Sequence, residues 1–178
     1  MHRMKQRRPA STDYSKPYAR YVDLVPEEDI LGALVSQGAE TQKLLATIDE
    51  KRAGFRYAPE KWSIRQIVGH MEDAERVFAY RALAFARGEQ QPLPGFDESS
   101  WMEKAPFDST TLKQRAESLG LVRRSTIELF RALDDNAWEQ RGTASNNPVS
   151  VRALAYVTVG HERHHLRVLR ERYLASAT

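Results

Sequence analysis

The residues best suited to chemistry lie near the end of the chain, in the pentapeptide His161-Glu162-Arg163-His164-His165. Two histidines four residues apart lie on the same face of a helix, where both imidazoles can reach a single metal ion. The same letters also match H-E-x-x-H, the zinc-peptidase motif, in which Glu162 would be the general base. These interpretations predict different enzymes, and the surrounding sequence has to decide between them.

Helix phase places the two outer histidines inside an apolar stripe. At ~100° per residue, His161 and His165 fall within the stripe of the last predicted helix, and His164 falls at its edge. The other members of that stripe are Val151, Leu154, Thr158, Val168 and Leu169. Burying two neighbouring imidazoles without a partner is unfavourable. We therefore expect a common partner that compensates both.

A third histidine, His70, lies at the border of the apolar stripe on the second predicted helix. Taken alone it would be a structural core residue. Facing helices of a bundle bring such positions together, however, and bundles build metal sites from them. His70, His161 and His165 are therefore the predicted ligands of a divalent ion such as Zn, Ni or Fe. Three imidazoles leave positions open for water, as in catalytic sites.

The residues after His165 disfavour the peptidase interpretation. A zinc peptidase needs a third ligand beyond H-E-x-x-H, and here Leu166-Arg167-Val168 comes next without a glycine. The thirteen residues after His165 leave no room for a later ligand-bearing helix. No strand is predicted that would hold an extended peptide.

Four amphipathic helices position these residues, and strand-like alternation is nearly absent. Ser63-Ile64-Arg65-Gln66 is an S-x-x-Q capping box that starts the second helix, and Gly88 is its predicted stop. Pro148 is predicted at the first position of the fourth helix. The predicted helices cover residues 26–49, 64–88, 109–135 and 148–174, with a long crossover over 89–108. The fold class is therefore all-α, a four-helix bundle over residues 23–178.

Composition and charge limit the kinds of cosubstrate and binding partner that we expect. The chain has 178 residues and no cysteine, so any thiol chemistry must use a thiol from outside. The net charge of +3 comes from Arg3, Lys5, Arg7 and Arg8, in a predicted flexible basic arm over residues 1–22. So short an arm is typical of a loose terminus, and we do not expect nucleic-acid binding. No apolar run approaches the ~20 residues of a membrane span, and no signal peptide is recognisable, so a cytoplasmic location is expected.

Three separated blocks resemble the DinB-like (DinB/YfiT) superfamily of metalloenzymes. They are Trp62 to His70 (WSIRQIVGH), then Asp73 to Arg76 (DAER) with Tyr80 to Ala82 (YRA), and finally Gly160 to Leu166 (GHERHHL). The crossover stretch PLPGFD at 92–97 and the closing LRERY at 169–173 are similar to one bacterial subgroup. The resemblance covers about residues 25–174. It implies an up-down-down-up bundle, a divalent metal on His70, His161 and His165, and a homodimer. Relatives include transferases and isomerases that use low-molecular-weight bacterial thiols.

Four further residues are candidates for the chemistry. Glu162 follows a predicted ligand and would orient a histidine or shuttle a proton, or else form a surface ion pair. Glu75 points inward on the second helix and is a second candidate acid. Arg81, on the same side as His70, would bind a substrate carboxylate bidentately or lie at the core edge. His164 would line the rim of the site.

The expected function is a metal-dependent enzyme that activates water or an exogenous low-molecular-weight thiol for a small-molecule substrate, as a hydrolase or S-transferase. The main alternative is a non-catalytic bundle that binds a metal or a ligand. The H-E-x-x-H peptidase is the weakest alternative.

Overall fold

The computed structural model describes residues 7–175, and within them four long helices form a bundle. The long helices are α2 (Ile30–Ala46), α3 (Ile64–Ala86), α5 (Leu112–Ala132) and α7 (Val151–Val168). The shorter elements are α1 (Lys16–Val22), α4 (Glu98–Lys104), α6 (Asp135–Glu139), β1 (Arg141–Ala144) and β2 (Asn147–Ser150). A π-helical turn, Leu169–Leu174, continues α7. The predicted all-α bundle is thus observed, with helix ends within a few residues of those expected.

The bundle core has two apolar clusters with polar side chains between them. α3 packs against both α5 and α7, and α2 packs against α5 and α7. Along α3, one cluster holds Ile67 and the other holds Phe78. His70 and Glu75 lie between these positions in sequence and are buried. On α7, His161 and Glu162 are likewise buried between the two clusters. We call this buried polar region the polar layer.

Local sequence signals explain how α3 begins and ends. Ser63 Oγ accepts from the backbone N–H of Gln66, and Gln66 Oε1 accepts from that of Ser63, which is the predicted capping box. Gly88 has φ of 86°, a left-handed conformation that glycine adopts without strain, directly after the last turn. These signals fix the register in which α3 presents His70 to the core.

A β-hairpin precedes α7, and here the prediction for Pro148 is wrong. Pro148 lies in β2, opposite Thr143 of β1, and α7 begins three residues later with Ser150 as its cap. Ser145 and Asn146 both have positive φ, 52° and 60°, as a tight two-residue hairpin turn requires. The turn therefore forms a strand pair where sequence periodicity favoured helix.

The segment before residue 22 also differs from the expected loose arm. α1 packs against α7, with Tyr18, Tyr21 and Val22 buried. A Cβ on Gly160 would lie 2.0 Å from the carbonyl oxygen of Tyr21, so only glycine permits this approach of α1. Arg3 and Lys5 lie outside the described residues. Along residues 7–175, no helix is both long enough and apolar enough to cross a membrane.

Candidate metal centre

Three histidine side chains converge in the polar layer. Nε2 of His161 lies 3.1 Å from Nε2 of His70 and 3.2 Å from Nε2 of His165. The ligand atoms of the three side chains all lie within 4.8 Å of one another. His70 and His161 are buried and His165 is partly buried. The structure thus brings together the three residues that the sequence predicted as ligands, one from α3 and two from α7.

The spacing of these nitrogens fits a shared metal ion. Two imidazole nitrogens bound at ~2.1 Å with an angle near 90–110° lie about 3.0–3.4 Å apart. The two Nε2 distances from His161 both fall in this range. An all-nitrogen, three-imidazole donor set suits Zn, Ni or Fe. The residues present therefore fit a divalent ion.

The environment keeps the three imidazoles neutral. Burial lowers the pKa of His70 to about 4. Burial, and then the neighbouring histidines, lower the pKa values of His161 and His165 well below the usual 6.5. A neutral imidazole has a free lone pair on one nitrogen, which is the form that binds a metal.

Aromatic rings hold the imidazoles in place. Trp62 lies against His70, with ring centroids 4.9 Å apart. Tyr21 and Phe78 contact the ring of His161 edge-on, at 5.3 Å and 5.4 Å. These contacts limit ring rotation and keep bulk water from one side of the cluster. Tyr21 belongs to the N-terminal segment that the sequence placed in a loose arm, so its contribution was missed.

A carboxylate that was not identified from the sequence lies beside the cluster. Oε2 of Glu98 is 4.0 Å from Nε2 of His70, and the Glu98 side chain is 48% exposed. Glu98 is the first residue of α4, whose start is capped by Asp97 accepting from the N–H groups of Ser99 and Ser100. The local sequence signal for this part of the crossover is the D-x-S-S pattern that begins at Asp97. It predicts that a helix starts there, but not which part of the protein that helix faces.

Two cavities flank the histidines. The first, about 150 Å³, is lined by His161, Glu98 and Arg81 together with aromatic residues of α1, α3 and the crossover. The second, about 290 Å³, is lined by His164, His165 and Trp62. Arg81 and His164, both predicted from sequence, therefore lie at cavities that the cluster also lines. His164 contacts the rings of Tyr21 and His165.

Glu75 and Glu162 are engaged elsewhere in the polar layer. Arg123 of α5 donates to both carboxylate oxygens of Glu75 at 2.8 Å, and its Nη2 also donates to Glu162 Oε2 at 2.5 Å. Thr41 of α2 donates to the other oxygen of Glu162. Glu162 and Arg123 line a third cavity, between α2 and α5, together with Thr41. Glu162 therefore forms a buried ion pair, not the surface one that was the alternative from the sequence. The roles in the chemistry expected for Glu162 and Glu75 stay predictions.

Burial and the neighbouring charges shift the pKa values of Glu75 and Arg123. Burial raises the pKa of Glu75, although Arg123 opposes the rise. Burial alone would lower the pKa of Arg123, but the carboxylates of Glu162 and Glu75 raise it. The guanidinium of Arg123 thus forms ion pairs with two buried carboxylates, those of Glu75 and Glu162. We assign Glu75 and Glu162 a role in holding α3, α5 and α7 together.

Comparison with known proteins identifies the family of this chain. The sequence model of the DinB superfamily matches residues 33–169, well over half of the chain. The chain belongs to the DinB superfamily. The family predicted from the three sequence blocks is thereby confirmed.

Individual relatives of this DinB-superfamily chain support the fold. An Oceanobacillus iheyensis protein named as a candidate metal-dependent hydrolase is 26% identical over 151 residues, covering 80% of this chain and 86% of that protein. YfiT from Bacillus subtilis, described as a candidate metal-dependent hydrolase with an unusual four-helix bundle topology, has a TM-score of 0.74 at 17% identity. That alignment covers 85% of this chain and 89% of YfiT.

A second solved structure, the DinB-like protein YjoA from Bacillus subtilis, has a TM-score of 0.60 at 19% identity. That alignment covers 84% of this chain and 92% of YjoA. The predicted fold class, an up-down-down-up bundle with a long crossover, is confirmed.

Replacing Arg123 with Met should separate the ion-pair network from the histidine cluster. The variant leaves two buried carboxylates without a cation, so we expect the free energy of unfolding to fall by about 3–5 kcal/mol in urea titrations. The loss should be smaller at pH 5 than at pH 8, because burial raises the pKa of Glu75, which takes up a proton as the pH falls. Arg124→Met, at the neighbouring exposed position, is the matched control and should change stability little. Equal stability of the two variants would contradict the assignment.

Proposed function

We propose that the protein is a metal-dependent hydrolase in which His70, His161 and His165 hold one divalent ion, Zn, Ni or Fe. The observation that carries the proposal is the convergence of three neutral imidazoles, with Nε2 separations of 3.1 Å and 3.2 Å around His161. The names of the Oceanobacillus iheyensis protein and of YfiT as candidate metal-dependent hydrolases support the reaction class.

When bound, a divalent ion on three neutral ligands lowers the pKa of water and polarises a substrate carbonyl. Side chains of the protein accept the proton and limit the access of water. Glu98 is positioned to accept the proton of the attacking water at Oε2, because that oxygen is next to His70 and is open to the cavity. Tyr21 and Phe78 limit the access of further water. Acyl transfer to water with a carboxylate base is the chemistry that this arrangement favours.

An S-transferase with a low-molecular-weight thiol is the second form of the same proposal. The chain has no cysteine, so the nucleophilic sulfur would have to come from a bound thiol. The relatives' names favour water as the nucleophile. A peptidase with Glu162 as base is disfavoured, because that carboxylate is occupied by Arg123 and Thr41. A homodimer and a cytoplasmic location stay predictions.

Metal content should depend on the cluster residues and not on their neighbour. Tag-free protein should bind about one equivalent of Zn, Ni or Fe, and His165→Gln should lose most of it because one of three ligands is removed. His164→Gln, one residue away, is the matched control and should keep full stoichiometry. Elemental analysis after dialysis measures both. Full metal content in His165→Gln would overturn the ligand assignment.

Turnover should depend on Glu98 without any change in metal content. With 4-nitrophenyl acetate as probe, Glu98→Gln should lower kcat by about 10²-fold, because the proton acceptor is lost. Glu103→Gln, on the exposed part of α4, is the control.

Two outcomes decide between the alternatives. Turnover that requires added thiol would favour the S-transferase. Full metal content without turnover by any added nucleophile would favour a non-catalytic binding module.

A further inference from the structure

Arg81 is a buried cation without an acidic partner. Its side chain is 3% exposed and makes two hydrogen bonds, both from Nη2, to the carbonyl oxygen of Pro94 at 2.9 Å and to Ser145 Oγ at 2.8 Å. Within residues 7–175, no carboxylate forms a salt bridge with it, and neither Nε nor Nη1 has a hydrogen-bond partner. The other buried arginines are neutralised, Arg123 by two glutamates and Arg152 by Glu139.

The contacts of Arg81 within the protein do not balance its charge, because the Phe96 ring, 5.9 Å from the guanidinium carbon, carries no net charge. The bonds to Pro94 and Ser145 join the crossover to the β-hairpin turn, but a neutral amide donor would make similar bonds. Burying a guanidinium without a counter-ion is costly. Burial accordingly lowers the pKa of Arg81. A charge maintained at this cost, with free donors, indicates that an anion from outside completes the site.

The free donors of Arg81 belong to the cavity that reaches the histidine cluster. That cavity, about 150 Å³, is lined by Arg81 and His161 and by aromatic residues, namely Tyr18, Tyr21, Phe78 and Phe96. A cavity of this size holds a molecule about as large as benzene. Arg20, a second cation, also lines it and donates to the hydroxyl of Tyr21 at 2.7 Å.

The geometry of α3 sets the distance between the backbone of Arg81 and the backbone of His70. Arg81 follows His70 by eleven residues on α3, which at ~100° and ~1.5 Å per residue places it on the same face, ~16 Å along the axis. An Arg side chain leans toward the N-terminus of its helix and so back toward His70. Arg81 and His161 therefore line the same cavity although their helix positions differ.

We propose that Arg81 binds a carboxylate of the substrate, so that the site takes small, single-ring carboxylic acids whose acid group is distinct from the bond that reacts. This inference rests on the proposed function for the reaction, but not for the binding of the acid. Nη2 belongs to both two-nitrogen edges of the guanidinium and is already engaged. The carboxylate is therefore held by single bonds from Nη1 or Nε, not by the bidentate pair expected from the sequence. Arg81, Arg20 and Glu98 together give the cavity lining a net charge of +1, which one carboxylate balances and a phosphate dianion exceeds.

Binding of matched probes to the metal-loaded protein tests the proposal. Calorimetry with 3-phenylpropionate, its neutral analogue 3-phenylpropanamide, and phenyl phosphate compares anions with a neutral ligand of similar shape. The wild type should bind the acid at least about tenfold more tightly than the amide, the effect of one charge-assisted hydrogen bond. Arg81→Gln keeps an amide donor for Pro94 and Ser145 but loses the charge, so it should fold and lose this preference. Arg76→Met, a half-exposed position on the same helix, should retain it.

The outcomes separate the inference from the proposed function. Retention of the acid preference in folded Arg81→Gln would overturn the inference, because the carboxylate would then bind elsewhere, such as at the histidine cluster. Equal binding of acid and amide by the wild type would also overturn it, as would tighter binding of phenyl phosphate than of the acid. Loss of the preference in Arg81→Gln with unchanged metal content supports it. Failure of the hydrolase proposal would show instead as absent metal or absent turnover, with the acid preference intact.

Discussion

Desolvation of polar side chains in the middle of the bundle is the constraint on which the rest of the structure depends. His70, His161, Glu75 and Glu162 all lose water between two apolar clusters, and each buried polar group must find a partner. The two glutamates find theirs in Arg123, so that side of the layer is complete within the protein. Within residues 7–175, the hydrogen-bonding partners of the histidine ring nitrogens are other histidines, at distances that suit a shared cation. One side of the layer thus stabilises the bundle, and the other holds the proposed metal ligands.

The segments outside the four long helices turn this cluster into a site. α1 supplies Tyr21 and approaches α7 closely because residue 160 is glycine. The crossover brings Glu98 to His70. The hairpin turn at Ser145 fixes Arg81 through one nitrogen and leaves the others free. Rigid helices therefore position the three histidines and Arg81, whereas the connecting segments provide Glu98 and hold the side chain of Arg81. Differences among relatives in these connections would change the substrate while keeping the metal site.

Residue placements that depend on helix periodicity could be predicted from the sequence. Few placements that depend on contacts between distant segments could be predicted. His161 and His165 could be placed because a spacing of four residues within an apolar stripe fixes their direction. The start of α3 could be placed because its capping box is local. Glu98 could not be assigned to the site, because nothing local indicates where the crossover passes. Glu75 was correctly expected to point inward, whereas the burial of Glu162 was not foreseen. Their common partner on α5 is set by packing between helices. Pro148 was misassigned because the left-handed turn before it outweighed its preference for a helix start.

The three imidazoles are proposed to share one divalent ion, and anomalous diffraction from crystals of metal-loaded protein tests this central claim most directly. Data collected above and below the absorption edge of the bound metal locate it independently of any activity. We predict a single strong anomalous peak within bonding distance, ~2.1 Å, of Nε2 of His70, His161 and His165. Metal-loaded crystals with no peak at the cluster, or with the ion bound to other residues, would contradict it.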